Sequence, residues 1–220
     1  MSQDSKNSTI EISQEEANVL VVNSVETHSI QVEAGWYKTH RTDSLLIFLI
    51  RSEVFEMFEA WRKDKVSQTP SIVGNGADVV DGEKEDTISH LSMLLDMEDE
   101  VKFKRLFENF IKDTLQDELA DIYIRIMDFI GYKKMTFDVE NDIKRGINVC
   151  ATPFTVIAQL DSILYCMNND VEKEYKGYLL NCCRIIQNFC QVNLYDLELH
   201  VNLKLKYNKL RGRKHGGKKV

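Results

Sequence analysis

The chain of 220 residues is 43% apolar and 29% charged, with a net charge of −7. That profile belongs to a soluble globular protein able to bury a core in one domain, or in one domain plus a large insertion. No apolar run approaches the roughly 18 residues of a membrane span, so a membrane partner is excluded. The opening MSQDSKNSTIEIS is polar and has no hydrophobic signal region. Five cysteines (Cys150, Cys166, Cys182, Cys183, Cys190) form no C-x-x-C pair, which predicts a reduced, cytoplasmic chain with buried thiols.

Only two prolines, Pro70 and Pro153, and long stretches without turn residues predict an all-α fold. Residues 1–12 read as a disordered N-terminal segment. Ser13-x-x-Glu16 has the form of a capping box and opens a first helix that Gly35 stops. Residues 36–41 connect it to a second helix, from Thr42 or Asp43 to near Lys65. Pro70, Gly74, Gly76 and Gly82 make 66–85 a loop, and two short amphipathic stretches follow at 86–97 and 99–111. Thr114-x-x-Asp117 opens a helix ending at Gly131. Thr152 followed by Pro153 is an N-cap before an N1 proline, opening a helix to about Met167. Further helices are predicted over 172–192 and 195–211, and 212–220 is a basic tail. Residues 13–211 therefore make a single all-α domain.

Charge is unevenly distributed. From Lys204 onward there are eight Lys or Arg and no acid, leaving 20 basic against 35 acidic residues, net −15, before it. An acidic body with a basic C-terminal segment points to an anion met by that segment, with a solvated tail or a nucleic-acid patch as the alternatives.

Two carboxylate pairs carry the chemistry. Glu53 and Glu56 fall in the rhythm Leu46, Leu49, Glu53, Glu56, Ala60, where a core-facing helix would place leucines. A buried carboxylate without a partner costs several kcal/mol, so a positive group must meet them. Glu118 and Asp121 form a second i,i+3 pair, in a charged stripe with Arg125 and Asp128 beside the apolar face of Leu119, Ile122, Tyr123, Ile126 and Ile130. Taken alone, that stripe reads as a solvated face. Four hard oxygen donors are what Mg²⁺, or alternatively Mn²⁺, requires. His200, Lys204, Asn208 and Arg211 share one side of the last helix, a candidate phosphate clamp or an ordinary basic face.

The segments LIRSEVFEMFEAWRKDK (49–65), IKDTLQDELADIYIRIMDFIG (111–131) and HVNLKLKYNKLRGRKHGGKK (200–219) closely resemble the MazG-like nucleotide pyrophosphohydrolases. That group belongs to the all-α NTP pyrophosphatase superfamily, with the dimeric dUTPases and dCTP pyrophosphatases. AGWYKTHRTDSLLIFLIRSE (34–53) resembles the family's Gly-Trp connection into its first metal helix. The set E-x-x-E, E-L-A-D and K-x-x-Y-N-x-x-R, in that order, is the specific signal. The resemblance implies Mg²⁺ held by Glu53, Glu56, Glu118 and Asp121, and a triphosphate held by Lys204, Asn208 and Arg211. It implies Trp36 beside the base or sugar. It also implies hydrolysis of an NTP or dNTP to NMP and pyrophosphate, with metal-held water attacking the α-phosphorus and Glu53 or Glu56 as base. One departure stands out, since 61 residues separate Glu56 from Glu118 where compact members have a short hairpin. Residues 66–112 are then an insertion or lid.

A ferritin-like di-iron site needs Glu-x-x-His pairs, and none of the five histidines has a Glu three residues before it. A non-catalytic helical adaptor retaining the fold is the other alternative. The helices at 153–167 (Val156, Ile157, Leu160, Ile163, Leu164) and 172–192 (Tyr175, Leu179, Cys182, Cys183, Ile186, Phe189) are apolar on more than one side. With the resemblance, this predicts a homodimer built on them, unless 86–112 covers the surplus within one chain.

Overall fold

The computed structural model describes residues 12–67, 91–142, 152–170, 172 and 174–211, and every regular element among them is an α-helix. Residues 1–11 of the predicted disordered segment 1–12, residues 68–85 of the loop, the start of the 86–97 stretch and the tail 212–220 lie outside these residues. Ile12, expected to be disordered, is instead buried in the core because its apolar side chain packs there. The helices are α1 Gln14–Glu33, α2 Asp43–Arg62, α3 Glu100–Phe110, α4 Leu115–Tyr132, the single turn α5 Val139–Asp142, α6 Pro153–Asn168, α7 Tyr175–Asn193 and α8 Leu197–Leu210. No described helix is long and apolar enough to cross a membrane.

Local chemistry sets the helix starts. Ser13 and Glu16 close a reciprocal capping box, with the Ser13 N–H donating to Glu16 Oε2 at 2.7 Å and the Glu16 N–H to Ser13 Oγ at 3.2 Å. Thr42, Thr114 and Thr152 accept from the third N–H of α2, α4 and α6 in the same way. Gly35 follows α1 with φ of +85°, a conformation that costs a residue without a side chain little.

α4 is the axle of the fold. Fifteen of its 18 residues are buried, and α1, α2, α7 and α8 all pack on it. At Gly131 a Cβ would strike the Ser24 carbonyl oxygen and the His28 Cβ, so the glycine sets how closely α1 approaches. The buried face of α1 is correspondingly polar, with Ser24, Thr27 and Gln31 inside, while Val19, Val22, Val25 and Val32 face outward.

Two cores result. The larger joins α1, α2, α4, α6 and α7. The smaller joins Leu91, Leu94, Phe103, Phe107 and Ile111 to Leu199, Leu203 and Tyr207 of α8, with Phe107 stacked on Tyr207 at 4.3 Å between ring centroids. Lys206 ties the same region down, donating to the Leu95 and Met97 carbonyls at 2.6 and 2.7 Å. The described part of the 66–112 segment is therefore a buttress on α8.

This packing corrects the basis of the predicted homodimer. Val156, Ile157, Leu160 and Leu164 of α6, and all six named residues of α7, are buried within one chain, with Ile163 partly buried. They sit in the larger core, whereas the inserted segment belongs to the smaller one. The named residues are covered because α2 and α7 pack on α6 while α6 and α4 pack on α7, and Phe154 and Tyr165 of α6 are the large apolar residues left exposed on it.

Candidate functional site

α2 and α4 lie side by side, which brings the two acidic pairs together at one pocket. Glu53, Glu56, Glu118 and Asp121 all line it, with Gln31, Trp36, Lys112, Asp113, Ile124, Arg125, Lys204, Asn208 and Arg211, around a cavity of about 130 Å³. A second cavity of about 160 Å³ shares Glu56, Asp113 and Glu118 and adds Lys63 and Lys65. The predicted metal and substrate residues Trp36, Glu53, Glu56, Glu118, Asp121, Lys204, Asn208 and Arg211 all line the first cavity, whereas His200 of the candidate clamp does not. Its ring is buried with Nδ1 2.8 Å from the Asp196 carbonyl oxygen.

The acids are not equivalent. Carboxylate oxygens of Glu53, Glu56 and Glu118 lie within 4.8 Å of one another, the spacing of ligands around one cation. Glu53 and Glu118 are buried, whereas Glu56 is exposed, so only half of the first pair occupies the core position its spacing predicted. Arg125 Nε donates to Glu53 Oε1 at 3.2 Å. Glu118 Oε2 and Asp117 Oδ1 are buried and meet no hydrogen-bond donor among the described residues. Such orphaned oxygens are costly unless a proton or a cation meets them. Burial, reinforced by the Asp121 charge, lifts the Glu118 pKa to about 9. Burial and the same neighbour raise Glu53 as well, against the pull of Arg125.

Asp121 faces a different partner. Its Oδ2 lies 2.6 Å from Lys204 Nζ, which also donates to Asp117 Oδ2 at 2.8 Å. Burial opposes the lysine's charge, but Asp121 and Asp117 outweigh it and raise the pKa above the ordinary lysine value. Lys204, Asn208 and Arg211 reach the pocket from α8, and Lys112 and Arg125 add two further cations. The pocket thus has an acidic wall on α2 and α4 and a basic wall centred on α8. No family model, curated protein or solved structure matches the chain.

Trp36 is only 3% exposed, with the Arg41 and Arg125 guanidinium carbons 5.0 and 5.1 Å from its ring centroid. Arg41 Nε also holds the Trp36 carbonyl at 2.8 Å. Beside it Gln31 Oε1 is buried and meets no donor among the described residues. Behind this corner Asp128 accepts from Tyr37 at 2.8 Å and pairs with His28 Nδ1 at 2.8 Å. The charged stripe of α4 accordingly faces other parts of the chain, with Asp121, Arg125 and Asp128 each meeting a partner outside α4.

Sequence reasoning missed Gln31, Lys112, Asp113 and the buried Asp117. Asp117 sits at the third position of α4, where an acid ordinarily serves the helix dipole from the surface. Lys204, in the basic stripe of α8, is the pattern signal of its buried countercharge. Gln31 had none, because α1 carries no apolar stripe to show which side faces inward.

Proposed function

We propose that the chain is a Mg²⁺-dependent nucleoside triphosphate pyrophosphohydrolase of the all-α NTP pyrophosphatase type. The observation that carries this reading is the two-walled pocket, in which three clustered carboxylates face Lys112, Lys204, Asn208 and Arg211. Acids alone would serve a structural ion and bases alone an anion. Both around one cavity suit a cation-bound polyphosphate. The order of E-x-x-E, E-L-A-D and K-x-x-Y-N-x-x-R, which resembles the MazG-like group, supports the same reading.

The donors fit a hard divalent ion. Glu53, Glu56 and Glu118 would hold it, all through oxygen, and Glu118 Oε2 is orphaned without one. A bound Mg²⁺ or Mn²⁺ supplies positive charge against phosphate oxygens and lowers the pKa of nearby water. Asp121, now paired with Lys204, would be a fourth oxygen donor for that ion. Lys204, Asn208 and Arg211 bind the triphosphate, and Arg125 fixes Glu53 by its Oε1. Glu53 or Glu56 accepts the proton of the attacking water, whose oxygen bonds to the α-phosphorus as the bridging bond to pyrophosphate breaks. Gln31 and Trp36 border the base or sugar.

Pyrophosphate release with Mg²⁺ against a panel of ribo- and deoxynucleoside triphosphates tests this. We expect turnover of at least one member, lost on chelation and restored by Mg²⁺ or Mn²⁺. Nucleotide binding with no turnover across the panel would instead favour a non-catalytic adaptor that keeps the fold.

A further inference from the structure

We propose that the groove between α1 and α8 is the docking site for a cationic amphipathic helix of another protein. The groove encloses about 800 Å³ and shares no lining residue with the acidic pocket. Its floor is apolar, with Leu20, Tyr123, Met127 and Cys190 no more than 8% exposed. Its rim is acidic. Glu15, Glu26 and Glu198 are exposed along it, and no Lys or Arg is among its described lining residues.

Shape selects the occupant. The groove follows α1 from Glu15 to Thr27, roughly 18 Å at ~1.5 Å per residue. That is a trough about three helical turns long, the form used to seat an amphipathic helix.

The edge of the groove adds an apolar contact, since Val19 is 52% exposed there. Valine weakens a solvent-facing helix position relative to Ala, Glu or Lys, so local stability does not account for it. An apolar partner surface does. The chain's own basic segment supplies charge but no filling, since Val220 is the sole apolar residue of 212–220. The occupant needs apolar anchors for the floor and flanking cations for the rim.

A fluorescein-labelled 18-residue Leu/Lys helical peptide and its Leu/Glu counterpart are the probes, titrated by anisotropy into the full chain. We expect the Leu/Lys peptide to bind about tenfold or more tightly than the Leu/Glu one, with affinity falling as salt rises. The exposed double variant Glu26→Lys/Glu198→Lys, checked for unchanged circular dichroism, should lose about tenfold in affinity. Val19→Ser should lose affinity without changing the salt slope. Hydrogen exchange should slow at 15–27 and 197–205 on binding. Equal binding to the wild-type and charge-reversed chains overturns the proposal. So does protection at the acidic pocket instead, or concentration-dependent protection of the groove without peptide, which would make a second copy the occupant.

Discussion

Lys204 Nζ lies 2.6 Å from Asp121 Oδ2, joining the helix that carries the bases to the helix that carries the acids. Asp117 shares the same ammonium at 2.8 Å, and both Lys204 and Asp117 are almost fully buried. Removing one partner of a buried ion pair leaves an uncompensated charge and typically costs about 3–5 kcal/mol. We expect Lys204→Met to lower stability by that order in urea unfolding, and to raise KM for triphosphate. Lys204→Met/Asp117→Asn should recover much of the stability and none of the KM. Recovery of both would make Lys204 a packing residue only.

The raised Glu118 pKa fixes a pH dependence with a definite sign. Its folded-state value is about 9 against an ordinary 4.5, so the folded chain binds more protons than the unfolded chain between those values. The contribution is complete below about 4.5 and is lost as pH rises through about 9. The melting temperature of chelator-treated protein should therefore fall from pH 6 to pH 9. Mg²⁺ should restore more at pH 9 than at pH 6, because the ion takes the deprotonated carboxylates. Glu118→Gln should flatten the metal-free slope; an unchanged slope would assign it to another group.

The acidic wall predicts a common phenotype from four substitutions. Glu53→Gln, Glu56→Gln, Glu118→Gln and Asp121→Asn should each abolish pyrophosphate release while the far-ultraviolet circular dichroism stays helical. Glu118→Gln should in addition raise the metal-free melting temperature at neutral pH, since folding of the native chain must protonate a carboxyl that the unfolded chain leaves ionised. Full turnover in any of the four would take that residue out of the site.

The Gly131 approach gives a purely structural test. Its added Cβ would meet the Ser24 backbone, which cannot swing aside as a side chain can. Gly131→Ala should destabilise the chain by about 1–3 kcal/mol despite the better helix propensity of alanine. A stabilised variant would mean that α1 can shift away from α4 at no cost.

How much of this was legible follows from which signals are local. Ser13, Thr42, Thr114 and Thr152 announce helix starts because a cap needs only the next three residues, and each helix they open begins where predicted. Glu53 was conspicuous because its spacing puts it among Leu46, Leu49 and Ala60. Arg125 and Asp128 were ambiguous, since a charged stripe looks the same whether water or another helix faces it. The residues named for the dimer faces are covered within the chain, and their pattern is ambiguous for a similar reason. An apolar residue on α6 reports burial but not by what, and α2 and α7 turned out to supply it. Gln31 was invisible because α1 buries its polar side and shows its valines, the reverse of the usual periodic signal.

α8 closes the smaller core with Leu203 and Tyr207 while presenting Lys204, Asn208 and Arg211 to the pocket, and adjacent residues therefore answer to different neighbours. A change that loosens Phe107 would be felt one residue from its stacking partner Tyr207, at Asn208, and one turn away at Lys204. We expect Phe107→Ala to leave the acidic wall and its ion affinity intact while weakening the grip on phosphate, so that titration of Mg²⁺ alone is unchanged and KM rises. The segment around α3 then has the standing of a splint, since it sets the aim of α8 without lending a side chain to the acidic wall.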